Sequence, residues 1–212
     1  MGQDWVDVHL DEKFDFRLPE GYEVLDTGYS RSLKISLDSC TLVVTKLEFP
    51  PETVEKTIVR TDDHLRNLYG EIIEGTQKSG VEVEHSEIVD MQGLLVLKIK
   101  TILQMENLGW TQEMWHISLS DAGYFFVCYI PIDAQTGKKS ILQRDAFFSS
   151  IRVAKGITRK DQYVYSGIYY RIGAFFGDLA PYAMVAIVVG IVLWLQKRKS
   201  NRVSQANHDV AS

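Results

Sequence analysis

The stretch YFFVCYI, at Tyr124–Ile130, is apolar at all seven positions. A strand with one face in water alternates apolar and polar residues, whereas a strand covered on both faces is apolar throughout. Tyr124–Ile130 is therefore predicted to be a central β-strand with a layer of structure packed on each side. A turn is predicted just before it, at Asp121–Gly123, where a short polar residue and a glycine interrupt the apolar pattern.

The strands around this run are predicted to be antiparallel, because short turns such as Gln92–Gly93 separate them. Three segments of alternating pattern precede the central run: Val81–Asp90, Leu94–Leu103 and Thr111–Leu119. Three further strand-like segments lie closer to the start of the chain: Phe14–Leu18, Ser32–Ser36 and Cys40–Phe49.

Two helices are predicted beside these strands. Apolar residues recur at helical spacing from Val54 to Ile73, and Gly75 is predicted to end that helix. A shorter helix is predicted at Ser140, which stands three residues before Gln143 as in a capping box. Its predicted buried side consists of Ile141, Leu142, Ala146 and Phe148. The expected fold class is α+β, an antiparallel sheet flanked by helices in an α/β/α sandwich.

The opening segment FDFRLPEGYEV and the closing segment ISLSDAGYFFVCYIPIDAQTGKKSILQRDAFFSSIRV resemble the PsbP/Mog1-type α/β/α sandwich, as does the order of elements between them. The resemblance extends over about Phe14 to Val153. It implies a fold and no functional residue, because members of that superfamily are photosystem assembly factors, a GTPase-binding protein and envelope proteins without a shared active site. This sequence departs from the exported members in having an apolar C-terminal stretch in place of an N-terminal export signal.

An uncharged apolar run of 17 residues, Leu179–Leu195, is predicted to form one transmembrane helix after the domain. At ~1.5 Å per residue it would extend over ~25 Å, near the lower limit for crossing a hydrocarbon core. A buried C-terminal core helix is the alternative, although such a helix is rarely apolar on every side. Proline is tolerated in a first helical turn, and aromatic rings favour the two interfaces. The residues of the predicted anchor are Leu179, Pro181, Tyr182, Val188, Gly190, Trp194 and Leu195.

Four segments are expected along the chain: a soluble α+β domain at 1–155, an aromatic-rich juxtamembrane segment at 156–178, the span at 179–195 and a short basic, disordered tail at 196–212. Two interpretations of the aromatics between residues 163 and 176 stay open. They lie in the membrane interface, or they pack on the domain.

A pair of small residues in the span, Ala186 and Gly190, could let two spans approach closely and form a homo-oligomer.

Two signals disagree about the side of the membrane on which the domain lies. Only Arg171 is basic between residues 163 and 178, whereas four basic residues follow the span: Lys197, Arg198, Lys199 and Arg202. This bias favours a cytoplasmic tail and an extracytoplasmic domain. The N-terminal segment has no apolar signal-peptide core, which favours a tail-anchored chain with a cytoplasmic domain. A signal peptide upstream of Met1 is the third alternative.

The sequence contains no nucleotide-binding, nucleophile-elbow or metal-ligand motif. Asp62, Asp63 and His64 are adjacent on a predicted helix, where neighbouring side chains point ~100° apart and do not converge on an ion. His85 and His116 lie in predicted strands that could bring them together across the sheet.

Two other groups of residues are candidate sites. Glu82 and Glu84 are predicted to share one face of a strand, opposite Val83 and His85, and that face could extend to Ser86; it is most simply an exposed acidic face. Trp110 and Trp115 are candidates for lining a ligand groove, although packing explains most tryptophans.

Cys40 and Cys128 are the two cysteines. They are expected either to be free, small apolar core residues or to form one disulfide in an oxidising compartment. Residues 1–178 carry 19 basic and 27 acidic side chains, a net charge of −8. Nucleic acid is therefore not expected as a partner, because phosphate binding needs a basic face.

We expect a membrane-anchored, non-enzymatic binding or accessory module, with no catalytic residue, metal or cofactor. Its expected partners are the lipid bilayer and a protein at the membrane. One alternative is a membrane-bound, hydrolase-like enzyme whose site residues converge only in three dimensions. The other is a structural subunit of a membrane complex, assembled through the span. The residues to examine for the enzyme are Glu82, Glu84, His85 and His116.

Overall fold

A computed structural model describes residues 4–49, 59–105, 108–134 and 137–163 of the 212-residue chain. These ranges hold ten strands and two α-helices: β1 (Trp5–His9), β2 (Phe14–Pro19), β3 (Glu23–Asp26), β4 (Ser30–Ser36), β5 (Thr41–Glu48), α1 (Asp62–Lys78), β6 (Glu82–Met91), β7 (Leu94–Met105), β8 (Leu108–Ser118), β9 (Ala122–Pro131), α2 (Lys138–Ser150) and β10 (Arg152–Val153).

The predicted span at 179–195, with its anchor residues, basic flank and Ala186–Gly190 pair, lies outside the described residues, as does the tail at 196–212. None of the helices in the described ranges is long and apolar enough to cross a membrane. The span therefore stays a prediction from the sequence.

Seven strands form the large sheet, in the order β3-β4-β5-β9-β8-β7-β6, with every neighbouring pair antiparallel. β9 is the fourth of the seven, and nine of its ten residues are buried. The central position predicted for Tyr124–Ile130 is confirmed, because layers of side chains cover β9 on both faces.

The inner face of the large sheet packs against a second, three-stranded sheet, in the order β1-β2-β10, and against α2. Alternate residues of β2 point into this core, where the ring of Phe16 meets the ring of Phe126 edge to face at 5.6 Å between centroids. α2 contributes Phe147 and Phe148, and the ring of Phe148 stacks on Trp115 at 4.7 Å. Most of the buried apolar side chains belong to this inner core.

The outer face of the large sheet carries α1, which packs on β6 and β7. Its buried side chains are Leu65, Leu68, Tyr69 and Ile72. They meet Leu95 and Leu97 of β7. The hydroxyl of Tyr69 donates a hydrogen bond to the carbonyl of Leu95 at 3.0 Å, which satisfies its polar end in the core.

The start and end of α1 differ from the prediction. The helix begins at Asp62 because the Thr61 hydroxyl accepts the backbone N–H of His64 and caps it, while Val59 is in a β-bridge. It continues past Gly75 to Lys78, since an internal glycine costs about 1 kcal/mol without ending a helix. Val54, where the prediction placed the first turn, lies outside the described residues.

The capping box predicted for α2 is wrong. Gly137 is the N-cap, and Ser140 lies inside the helix, where its hydroxyl donates to the Gly137 carbonyl at 2.8 Å. The predicted buried side is also wrong in part, because Leu142 is 57% exposed and Phe147 is buried instead. The rings of Trp115 and Phe126 set the buried side of α2, and helical spacing alone does not reveal them.

The fold is a mixed α+β structure with antiparallel sheets and two helices, as predicted. Three short strands, β1, β3 and β10, were not predicted, and the second sheet was therefore missed. These strands have two to five residues each, too few to show a periodic pattern.

Candidate interaction surface

The edge strand β3 has two adjacent aliphatic side chains that are exposed to solvent. All four of its residues are exposed, with Val24 at 52% and Leu25 at 54%. Tyr29, in the turn that joins β3 to β4, is 64% exposed. Proteins usually protect an edge strand with charge, proline or a covering element, so an open apolar edge indicates a site for a partner.

The backbone of β3 presents unpaired hydrogen-bonding groups to solvent. The N–H of Thr27 donates to the carbonyl of Ser30 at 2.9 Å and closes the hairpin. Because hydrogen-bonded and non-hydrogen-bonded pairs alternate along an antiparallel ladder, Asp26 and Val24 are non-hydrogen-bonded positions opposite β4. Their N–H and C=O groups therefore point away from β4, toward the open edge.

A polar cleft of about 260 Å³ lies beside this edge. It is bounded by the turn after β1, the β3–β4 hairpin and the end of β5. Its charged side chains are of both signs. The residues that line the cleft are Leu10, Asp11, Asp26, Gly28, Tyr29, Ser30, Arg31, Lys46 and Glu48.

Asp11 is the centre of the hydrogen-bond network in the cleft. It accepts the hydroxyl of Tyr124 at 2.6 Å and the backbone N–H of Lys13 at 2.8 Å. The Nζ of Lys46 lies 3.2 Å from Asp11 and 2.8 Å from Glu48. The network ties the turn after β1 to β5 and β9.

The ionised forms of both central groups are stabilised. Burial raises the pKa of Asp11, but the hydrogen bonds from Tyr124, Lys13 and Lys46 outweigh burial and hold that pKa below its usual value. Burial lowers the pKa of Lys46, but Glu48 and Asp11 outweigh it and raise that pKa. Near pH 7 the acid is therefore ionised and the amine protonated, which does not suit either one to general acid–base work.

The predicted face of Glu82 and Glu84 is altered by a β-bulge in β6 between Val83 and His85. Val83 stands opposite Thr101 and Ser86 opposite Ile99, so Val83 and Ser86 share a face, contrary to the prediction. Glu84 forms an ion pair with Lys100 at 2.9 Å. Both carboxylates are exposed on the surface of the sheet.

His85 and His116 do not meet. His85 pairs with Lys100 on β7, whereas His116 lies on β8 opposite Leu97, with β7 between the two histidines. His116 is 1% exposed, and its ring stacks on Phe125 at 4.4 Å. Burial lowers its pKa to about 3, so His116 is neutral in the folded protein at pH 7.

The two tryptophans of β8 point to opposite faces of the sheet. Trp115 packs in the inner core, and Trp110 packs on the outer face. They do not form one groove, because residues five apart on a strand alternate faces.

Asp62 and His64, in the first turn of α1, make structural contacts with neighbouring segments of the chain. Asp62 accepts the hydroxyl of Tyr163 at 2.9 Å and forms an ion pair with Arg159 at 2.6 Å. The Nδ1 of His64 accepts the N–H of Arg60 at 3.3 Å. No group of three or more potential metal ligands occurs in the ranges described above.

Cys40 and Cys128 are both free and buried, and both face the inner core, Cys40 just before β5 and Cys128 on the neighbouring β9. A hydrogen bond links the two thiols, and with burial it raises the pKa of Cys128. The Sγ of Cys40 also lies 3.5 Å from the Oε1 of Gln143 on α2. The structure therefore has free core cysteines and no disulfide between Cys40 and Cys128.

The exposed edge of β3 was missed because four residues, EVLD, carry too little pattern to predict a strand. The available signal was the run of Val24 and Leu25 between two turns, each with a glycine. The Asp11 network was also missed, because its members are distant in the sequence.

Known proteins resemble this chain in structure and not in sequence. No protein-family model matches the sequence, and no curated protein matches it. The solution structure of cyanobacterial PsbP (CyanoP) from Synechocystis sp. PCC 6803 is similar with a TM-score of 0.48 and 15% identity, over 72% of this chain and 94% of that one. The sequence resembles the PsbP/Mog1-type sandwich, and a PsbP structure is among those to which this fold is similar.

Two further structures are similar at TM-scores of 0.41. PA94 from Pseudomonas aeruginosa, a protein of unknown function, is 11% identical over 66% of this chain and 92% of that one. A protein from Bacteroides thetaiotaomicron VPI-5482 is 9% identical over 68% of this chain, which spans 46% of the length of that protein.

Proposed function

We propose that this protein is a single-pass, membrane-anchored, non-enzymatic binding module that holds an extended segment of a partner protein along β3. The observation that carries the proposal is the open apolar edge formed by Val24 and Leu25. An extended segment that adds to a sheet edge gains main-chain hydrogen bonds from the edge strand, and its side chains give specificity. Val24 and Asp26 supply those main-chain groups here.

The charges of β3 favour a basic partner strand over a second copy of this chain. In an antiparallel pair, opposite residues share a face and both turn their main-chain groups to the shared edge, so a second β3 would place Val24 of one copy opposite Asp26 of the other. Glu23 and Asp26 of the two copies would then bring four carboxylates to one short pair of strands, and like charges close together destabilise such a pair. A segment with Lys or Arg near Glu23 and Asp26 and apolar residues between them complements β3.

The chemistry of the candidate groups supports binding without catalysis. Asp11 and Lys46 of the cleft form an ion pair, and both are ionised at neutral pH. His116, one of the residues to examine for an enzyme, is buried against Phe125 and Tyr69. The cleft next to Tyr29 suits the side chain at one end of a bound segment.

The membrane part of the proposal depends on the predicted span at 179–195 and its basic flank. Anchoring would confine the domain to the bilayer surface and raise its effective concentration for membrane partners. The positive flank favours an extracytoplasmic domain. Tags at each end, probed with protease in intact cells, test the orientation. If only the C-terminal tag is cleaved, the domain lies in the cytoplasm and that orientation is wrong.

The binding edge is tested by a proline at Val24. Val24→Pro removes an N–H that points away from β4, so it deletes a hydrogen bond to the partner while the pairing with β4 is kept. A photo-crosslinking residue is placed at Leu25 in the full chain in membranes, and the crosslinked peptide is sequenced. We expect crosslinks to an extended, basic segment, reduced at least tenfold by Val24→Pro.

Ser86→Pro is the matched control, because the N–H of Ser86 also points away from its paired strand, at the protected edge formed by β6. It is expected to leave the Leu25 crosslink unchanged. Equal losses from both prolines, or crosslinks that Val24→Pro does not reduce, would contradict the proposal. Crosslinks to a second copy of this chain would show that β3 is a homodimer edge instead.

A further inference from the structure

The outer face of the large sheet has a second apolar cluster, next to the α1 cluster. It consists of Val43 on β5 and Phe125, Val127 and Tyr129 on β9, which are 6–9% exposed. Four partly buried side chains pack around them: Leu47, Leu103, Trp110 and Met114. We call these eight residues the outer patch.

Every described member of the outer patch lies on the sheet itself. α1 packs on β6 and β7, to one side of the patch. Side chains on an uncovered sheet face keep much of their surface in contact with water, yet Val127 is only 6% exposed. The burial of Tyr129 raises the pKa of its phenol to about 12, as expected for a hydroxyl removed from water.

The described chain ends on this same outer face. Gln162 is fully buried and bridges the ends of β7 and β8, with hydrogen bonds to both main-chain groups of Leu95 and to the carbonyl of Ser118. Tyr163 follows it, packs on the α1 cluster and donates to Asp62 at 2.9 Å. The chain beyond residue 163 therefore starts beside α1, at a position held by buried contacts.

The α1 cluster and the outer patch are continuous. The rings of Tyr69 and His116 lie 5.6 Å apart, and His116 stacks on Phe125 at 4.4 Å. From Phe125 the patch extends along β9 to Tyr129, a distance of about 14 Å at the rise of a strand. The segment 164–176 has 13 residues and could span about 43 Å if extended, so it reaches the whole patch.

Two segments outside the described residues are candidates for covering the outer patch. Residues 50–58, PPETVEKTI, carry two aliphatic side chains besides their prolines. Residues 164–176, VYSGIYYRIGAFF, carry nine apolar or aromatic side chains and one charge. Because the hydrophobic free energy scales with buried apolar area, the second segment gains far more by covering the patch.

We propose that the juxtamembrane segment 164–176 docks on the outer patch and covers Val43, Val127 and Tyr129. Of the two interpretations of its aromatics, this selects packing on the domain. The predicted span begins three residues later, so docking would hold the outer face of the sheet next to the bilayer. β3 lies at the edge of the sheet, two strands away from β5, and would stay open to a partner.

The test measures the reactivity of a cysteine at Val43 in the full chain, reconstituted in lipid nanodiscs. Val43→Cys is labelled with a maleimide, and Val24→Cys on the exposed edge serves as the reference for a fast rate. We expect Val43→Cys to react at least tenfold more slowly than Val24→Cys. Replacing Tyr169, Tyr170, Phe175 and Phe176 together by serine is expected to speed the labelling of Val43→Cys at least tenfold.

The matched control replaces Val54 and Ile58 by serine, which is expected to leave the rate at Val43→Cys unchanged. Cys40 and Cys128 report on folding, because both are buried in the inner core and react only if the domain opens. If both stay unlabelled while the serine variant leaves Val43→Cys slow, the bilayer or another segment covers the patch and the proposal is wrong. Acceleration by the Val54 and Ile58 changes alone would identify residues 50–58 as the cover.

A photo-crosslinking residue at Trp110 gives a second measurement that depends on no disruptive change. Crosslinks to peptides within 164–176 are expected. Crosslinks to lipid, to residues 50–58 or to a second copy would each overturn the proposal.

Discussion

The two edge strands of the large sheet differ in length, regularity and support. β6 has ten residues, carries Glu82, Glu84, Glu87 and Asp90, contains a bulge and packs under α1. β3 has four exposed residues, Val24 and Leu25 between two acidic ones, and its described ladder has no bulge. Charge, bulges and a covering helix are the usual means of blocking an edge against added strands. One sheet therefore has a protected edge and an open one, and the open edge is where a partner strand fits.

The largest expected difference between the two sides is in stability. Leu65→Ala leaves a cavity between α1 and β7, because Leu65 is fully buried, and is expected to lower the free energy of unfolding by about 2–5 kcal/mol. Leu25→Ala on β3 is the matched change, expected to cost less than about 0.5 kcal/mol because exposed positions contribute little. Urea denaturation measures both. Similar losses would show that β3 is not a free edge.

The β6 side is also expected to be sensitive to acid through His116. The unfolded chain binds a proton at His116 below its ordinary pKa of 6.5, whereas the buried ring stays neutral down to about pH 3. The contribution of His116 to the free energy of unfolding is therefore fully present above pH 6.5. It decreases as the pH falls from 6.5 toward 3, by up to about 1.4 kcal/mol per pH unit.

The variant His116→Phe keeps an aromatic ring between Tyr69 and Phe125 and removes the titrating group. Denaturation curves at pH 6.5, 5.5 and 4.5 should show a smaller slope for this variant. An unchanged slope would mean that other groups determine the acid sensitivity.

On the β3 side, the Asp11 network is expected to matter more than exposed ion pairs. Asp11→Asn removes the charge that holds Lys46 and is expected to cost about 1.5–3 kcal/mol, the range for hydrogen bonds to charged groups. Asp38→Asn is the control, because Asp38 is 83% exposed in its pair with Lys139 and should cost less than about 0.5 kcal/mol. Thermal unfolding of the two variants at pH 7 compares them.

The smallest effect on stability is expected from the charges of β6 themselves. Glu84→Gln removes an ion pair with Lys100 that is partly exposed, worth about 0.5 kcal/mol or less. We expect these charges to oppose strand addition instead, so neutralising Glu82, Glu84 and Glu87 together should increase self-association. Sedimentation velocity measures this change. If the triple variant stays as monodisperse as the parent, the bulge and α1 protect β6 without the charges.

Patterns that repeat over many residues were predicted well. The apolar run of β9, the alternating strands β6–β8 and the turn at Gln92–Gly93 all occur as expected, and Gln92 and Gly93 have the positive φ angles (53° and 88°) of a tight hairpin. Periodicity identifies such elements because each residue adds evidence for the same face. The ends of α1 and the buried side of α2 were less predictable, because a cap and a neighbouring ring determined them.

The candidate site could not be predicted in the same way. β3 is too short to show a period, and what makes it a site is its position at the edge of a sheet, which depends on the pairing of all seven strands. Asp11, Lys46 and Tyr124 come together only when the turn after β1 packs against β5 and β9.

The sequence alone determined the class of the domain, its central strand and the prediction of an apolar span, because these depend on local composition and periodicity. The tertiary structure decided which edge is open, which thiols and rings are neighbours, and that His85 and His116 lie apart. Those are relations between residues distant in the chain, and they follow from strand order and register. A one-residue shift, as at the bulge of β6, moves every later side chain to the other face, so only the assembled sheet defines the surfaces.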